Sequence, residues 1–192
     1  MKKVSVIGAG TMGMGIAQIA ATHGHSVCLY DNFQNATEIA QNKIEKILLR
    51  LIEKNKITSN QKNEILRRIN FSNKLSDINE SDFVIEAIIE NMDLKKRVFS
   101  EVEKEVGDDC LITSNTSSLS VAEMSKALEK PGRFAGLHFF NPVNKMPLVE
   151  IITHDNVDKE TGLAKFLECN GINSLFILLS IFVIIDEPLM SK

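Results

Sequence analysis

Six residues near the amino terminus, Gly8-Ala9-Gly10-Thr11-Met12-Gly13, constrain this chain more than any others. A GxGxxG run is common by chance and carries weight only in the right surroundings. Here the apolar run Val4–Ile7 ahead of it reads as a short buried strand. Behind it, Met12, Ile16, Ile19 and Ala20 recur at helical spacing until Gly24. Ser26–Tyr30 then alternates like a second strand and ends at Asp31, 18 residues beyond Gly13. Strand, glycine turn, helix, strand and acid make up the first βαβ unit of a doubly wound sheet. Gly8 allows the tight turn, Gly10 lets the backbone approach a pyrophosphate, and Gly13 lets the helix pack close to the strand. The helix start at Thr11 and Met12 offers unpaired N–H groups and a positive dipole end to phosphates. Asp31 can accept hydrogen bonds from ribose hydroxyls and repels a 2′-phosphate, which favours NAD over NADP. The bland alternative is a glycine-rich turn that binds nothing.

The remainder extends the α/β pattern. Ile39, Lys43, Ile44, Ile47, Leu48, Leu51 and Ile52 trace a long amphipathic helix, and Thr58 reads as the N-cap of a second one carrying Ile65, Leu66 and Ile69. Residues from about 35 to 70 are therefore expected to form a helical hairpin inserted into a mostly parallel, Rossmann-type sheet. Further strands are predicted at Phe83–Ala87, Leu111–Ser114, Phe134–Phe139 and Val149–Ile152, with a charged helix over Asp93–Val106 that turns Val98 and Val102 inward. With 44% apolar and 24% charged residues in 192, the chain can bury an ordinary core. A net charge of −3 gives no general attraction to nucleic acid or to an anionic membrane, so neither is expected as a partner, and an anionic cofactor needs local, oriented groups. The three cysteines, Cys28, Cys110 and Cys169, form no CxxC pair. That argues against a zinc site or a disulfide framework, predicts no metal, and fits a reducing compartment. The opening apolar run is too short for a signal peptide, and the chain reads as cytoplasmic.

A second cluster carries chemistry. His138 ends one predicted strand and Glu150 lies near the start of the next, 12 residues on. Two adjacent strands can bring imidazole and carboxylate within hydrogen-bond reach. Oxidising a secondary alcohol needs a base for the hydroxyl proton, a task suited to histidine, and a carboxylate behind it fixes the tautomer. A structural histidine at a strand end is the competing reading. Asn115-Thr116-Ser117-Ser118 follows another strand, at the carboxyl edge where open α/β sheets bind ligands. Its short polar side chains can contact a ligand or cap the next helix, and the pattern alone favours capping.

Taken in order, Gly8–Gly13, Phe83-Val84-Ile85-Glu86-Ala87-Ile88-Ile89-Glu90-Asn91, Ser114–Leu119 and Arg133-Phe134-Ala135-Gly136-Leu137-His138-Phe139-Phe140-Asn141-Pro142 resemble the 3-hydroxyacyl-CoA dehydrogenases, over about residues 1–168. The resemblance implies NAD-dependent oxidation of (S)-3-hydroxyacyl-CoA, most simply 3-hydroxybutyryl-CoA, to 3-oxoacyl-CoA, or the reverse, in fatty-acid or butanoate metabolism. It makes His138 the general base, Glu150 its orienting group, and Ser117 the contact to the substrate's 3-oxygen beside the nicotinamide. Glu90, Lys95, Asn115 and Asn141 then match positions lining the NAD site. Lys54, at the end of the long inserted helix, falls where the family contacts CoA phosphates.

Past Glu168 the likeness ends. The family continues into an all-helical domain that completes the acyl pocket and forms the homodimer interface. Here residues 169–192 read instead as a divergent tail. It contains Leu175-Phe176-Ile177-Leu178-Leu179-Ser180-Ile181-Phe182-Val183-Ile184-Ile185, a run of 11 residues. That is shorter than the roughly 20 needed to cross a bilayer, and it has no helical or strand period, so a buried strand fits part of it at most. The expectation is a truncated chain whose tail is translated out of the ancestral frame and whose dimerising domain is missing. A genuine short variant with its own C-terminal strand is the alternative. Two functional readings follow, an active dehydrogenase or a fragment that binds NAD without turnover. A third is a dehydrogenase of hydroxyacids without CoA.

Overall fold

The computed structural model describes residues 1–33, 35–146, 148–155 and 157, and the backbone of 181–186. Its strands are β1 (Lys3–Ile7), β2 (Ser26–Tyr30), β3 (Ile69–Ser72), β4 (Phe83–Glu86), β5 (Leu111–Ser114), β6 (Phe134–Phe139), β7 (Leu148–Thr153) and β8 (Ile181–Asp186). Its helices are α1 (Thr11–Thr22), α2 (Ala36–Glu53), α3 (Ser59–Arg67), α4 (Met92–Glu105) and α5 (Val121–Ser125). The strands form one sheet in the order β3-β2-β1-β4-β5-β6-β7-β8. Pairing is parallel from β3 through β6, β7 runs antiparallel to β6, and β8 runs parallel to β7. The mostly parallel doubly wound sheet is the one expected, and its order reverses between β1 and β4.

Strands covered on both faces read as apolar runs, and successive residues feed opposite layers. Val4, Val6, Phe83, Ile85 and Leu111 join a core with α1, α2 and α3. Ile7, Val84 and Ile112 point the other way, into a core with Phe99 and Val102 of α4 and Met124 of α5. On that side Phe99 meets Phe134 edge to face, with ring centroids 4.8 Å apart. Such a contact is worth about 1 kcal/mol beyond its buried area. The inward stripe of α4 is Lys95, Phe99 and Val102, while Val98 is only half-buried.

The inserted hairpin is shorter than expected. Thr58 does cap α3, in a full capping box with Gln61. Ile69, however, is not helical: the chain leaves α3 at Arg68 and enters β3 directly, the edge strand beside β2. The helix expected after the 115–118 turn is the five-residue α5. Of the apolar run 175–185, Ile181–Ile185 lies in β8, so part of the tail is sheet. Cys169–Ser180, where the likeness breaks, lies outside the described residues. Among the described residues no helix is long and apolar enough to cross a membrane.

Candidate active site

The carboxyl ends of β1, β4, β5 and β6 lie side by side, and the loops that leave them gather the polar residues of the chain. The first is the glycine turn. Gly8 takes φ +105°, and a Cβ there would stand 2.8 Å from the Ala87 carbonyl oxygen, so only glycine joins β1 to the turn beside β4. A Cβ on Gly13 would stand 1.8 Å from the Gly8 carbonyl oxygen, so α1 packs directly on the turn. Gly10 differs: a Cβ there meets nothing within 4 Å. It is the N-cap of α1 and supplies no side-chain cap, so the helix presents its first N–H groups, at Thr11 and Met12, to open space. This uncapped, side-chain-free helix start fits a pyrophosphate. Asp31 accepts the Ala9 amide at 2.8 Å and the Phe33 amide at 3.0 Å, which fixes its carboxylate at the rim of the turn.

Behind the β4 loop lies a group of charges. Glu86 is 0% and Lys95 1% exposed, and the Lys95 ammonium reaches Glu86 Oε1 at 2.6 Å and Glu90 Oε2 at 3.2 Å. Glu86 also accepts the Ser114 hydroxyl at 2.6 Å and the Ile88 amide at 2.7 Å. Burial pushes its carboxyl above the ordinary range, and Lys95 and the other donors pull back without reversing the shift. Burial pushes Glu90 the same way, but there the Thr116 hydroxyl, Lys95 and the Ser117 amide outweigh it and hold the carboxyl below its ordinary range. Glu90 Oε1 accepts from Thr116 Oγ1 at 2.5 Å, Ser117 N at 3.1 Å and Ser118 Oγ at 3.3 Å. One carboxylate thus clamps the turn that carries Ser117.

His138 and Glu150 face each other across the antiparallel β6–β7 pair, in direct register. His138 Nδ1 lies 2.8 Å from Glu150 Oε2, and both side chains keep some exposure, at 18% and 26%. A carboxylate only accepts, so in the neutral imidazole Nδ1 carries the proton of this bond and Nε2 has the lone pair. The Phe140 ring packs 4.6 Å from the imidazole, centroid to centroid. Asn115 Oδ1 accepts the Phe139 amide at 2.8 Å, which ties the end of β5 to the residue after His138. Val143, buried, packs on Gly15 of α1 and anchors the loop beyond Asn141.

Gly8, Gly10, Gly13, Asp31, Glu90, Asn115, Ser117, His138 and Glu150 therefore gather at one sheet edge. The capping reading of 115–118 is corrected: Ser120 caps α5 through the Glu123 amide, whereas Thr116 accepts the Ser118 and Leu119 amides to close its own turn. Ser117 and Asn141 are exposed on their loops. Lys95 sits one layer behind the opening rather than in it. Lys54 is the exposed C-cap of α2, one helix length (about 27 Å) from Ala36. Glu86 was not among the expected site residues. Its signal is an acid ending the apolar run Phe83-Val84-Ile85, a place that demands a buried counter-ion.

Comparison with known proteins finds relatives of this chain. The family described as 3-hydroxyacyl-CoA dehydrogenase, NAD binding domain, matches residues 3–170. The fatty acid oxidation complex subunit alpha of Psychrobacter cryohalolentis is 41% identical over 160 residues, which are 83% of this chain and 22% of that protein. The 3-hydroxybutyryl-CoA dehydrogenase of Clostridioides difficile is 38% identical over 173 residues, 90% of this chain and 62% of that one. Among solved structures, (S)-3-hydroxybutyryl-CoA dehydrogenase from Ralstonia eutropha superposes with a TM-score of 0.86 at 36% identity, covering 97% of this chain and 63% of that one. The chain thus spans between about a fifth and two thirds of the length of these relatives.

Proposed function

Because the chain belongs to the 3-hydroxyacyl-CoA dehydrogenase family, in which it is an NAD-binding domain, we propose that it serves the interconversion of (S)-3-hydroxyacyl-CoA and 3-oxoacyl-CoA, with a C4 acyl group as the simplest substrate. The observation that carries this reading is the His138–Glu150 pair, 2.8 Å apart at the edge that also holds the glycine turn. Glu150 keeps the His138 proton on Nδ1, so Nε2 takes the proton of a substrate hydroxyl or returns it to a carbonyl. The Ser117 hydroxyl, on a turn clamped by Glu90, binds the same substrate oxygen and orients it toward His138. The Asn115 bond to the Phe139 amide keeps the two loops in step.

NAD, when bound, supplies the hydride acceptor. Gly8, Gly10 and Gly13 with the α1 start at Thr11 and Met12 would hold its pyrophosphate, Asp31 its adenosine ribose, and Glu90, Asn115 and Asn141 would line the rest of its site. Lys95 acts from behind, through Glu90. Lys54 is assigned to the CoA phosphates.

The test is NADH consumption with acetoacetyl-CoA. Turnover that His138→Ala abolishes is the expected result. NADH that protects the protein from thermal unfolding without any turnover would instead identify a cofactor-binding unit. Equal rates with a free 3-oxoacid and with the thioester would remove CoA from the reading.

A further inference from the structure

We propose that the Glu86–Lys95–Glu90 triad sets the preference of this site between the redox forms of its cofactor, favouring the cationic nicotinamide over the neutral dihydro ring. The inference rests on the assignment of Ser117 and His138 to the reacting centre. Two carboxylates share one ammonium at 2.6 and 3.2 Å, which leaves one negative charge uncompensated. Two members are sealed from water, at 0% and 1% exposure, so solvent screens their charges little. The third, Glu90, is 35% exposed and opens onto the site. Its Oε1 accepts the amide of Ser117, and a ring that exchanges hydride with a carbon held between Ser117 and His138 is a neighbour of that carboxylate.

The two cofactor forms share the pyrophosphate, the riboses and the adenine. They differ by one unit of charge, on the nicotinamide ring. A fixed charge beside the ring therefore discriminates between them, while the glycine turn and Asp31 act on both alike. Lys96 is engaged with Glu123 at the surface, and Glu150, behind His138, has the same sign as the triad. A purely structural triad predicts something different: loosening it would weaken both forms together.

Dissociation constants for NAD and for NADH, measured by calorimetry on the full chain, separate these cases. Glu90→Gln removes the charge at the opening. Glu86→Gln removes it one layer back with a hydrogen-bonding isostere, and so covers the case in which the first variant disturbs the Thr116–Ser118 turn. In either folded variant the ratio of the two constants should move toward NADH by on the order of tenfold, the size of a partly screened unit-charge interaction over several Å. A ratio unchanged in a folded variant, or both constants moved equally, overturns the inference and leaves the cofactor site standing. Wild-type protein that binds neither form overturns the site assignment, and the inference with it.

Discussion

Two glycines three residues apart should fail in opposite ways when each is replaced by alanine. At Gly13 the new methyl carbon would lie 1.8 Å from the Gly8 carbonyl oxygen and 3.3 Å from Val6 Cγ1. Contacts below about 3 Å do not persist, so α1 must retreat from the turn by roughly 1.2 Å, against a packed core. Backbone shifts of that kind cost about 3 kcal/mol. For a chain of this size that lowers Tm by roughly 6–12 °C. At Gly10 the backbone is at φ −68° and ψ −171°, an ordinary extended conformation, and the methyl meets nothing within 4 Å. The entropy gained against the unfolded chain and the poorer N-cap nearly cancel, so stability stays within about 1 kcal/mol of wild type. The methyl does occupy the space a pyrophosphate must enter. Losing one or two charge-assisted hydrogen bonds there, about 3 kcal/mol, weakens NADH roughly hundredfold. Thermal melts and NADH fluorescence titration read both effects. Gly10→Ala that binds NADH like wild type would refute the cradle. Gly13→Ala that melts within about 2 °C of wild type would refute the packing argument.

Two further predictions concern buried groups. Lys95→Met leaves the Glu86 carboxylate, 0% exposed, without its counter-ion and should cost about 3–5 kcal/mol in urea unfolding, whereas Lys96→Met, at a pair 3.6 Å long on the surface, should cost about 0.5 kcal/mol or less. Similar losses from the two would contradict the charge assignment. Burial pushes the Cys28 and Cys110 thiols from an ordinary 9.0 up to about 11 and about 12. The unfolded chain therefore releases these protons first. Above pH 9 each thiol should lower stability by roughly 1.4 kcal/mol per pH unit until its folded value is passed. A Cys28→Ala, Cys110→Ala double variant should lose stability more shallowly between pH 9 and 11, and identical slopes would speak against the burial argument.

How much of this was legible beforehand depends on what each residue needed from outside its own segment. The first βαβ unit was, because strand, turn, helix and acid all lie within Val4–Asp31 and Gly13 answers a steric demand inside that segment, at the Gly8 carbonyl. The His138–Glu150 pair was as well, since an antiparallel pair of neighbouring strands can place two residues 12 apart in direct register. The strand β3 was not. Ile65 and Ile69 are four apart, which suits a helical stripe as well as it suits a helix followed at once by a strand, and no glycine or proline marks the join at Arg68. Its strand character comes only from pairing with Val27–Tyr30, far away in sequence.

Lys95 shows the same limit more sharply. On a helix as charged as Met92–Glu105, a lysine is ordinarily solvated, and nothing in its own turn of helix marks it as buried. What buries it is Glu86, nine residues earlier at the end of a strand covered on both faces, whose carboxylate must find a cation in that layer. Helix phase selects Lys95 over Lys96 and Arg97, because it shares the inward stripe with Phe99 and Val102. Strand and helix thus choose each other's charges. Through Glu90 that choice reaches the Ser117 turn, so a pair that looks like packing is also what shapes the site.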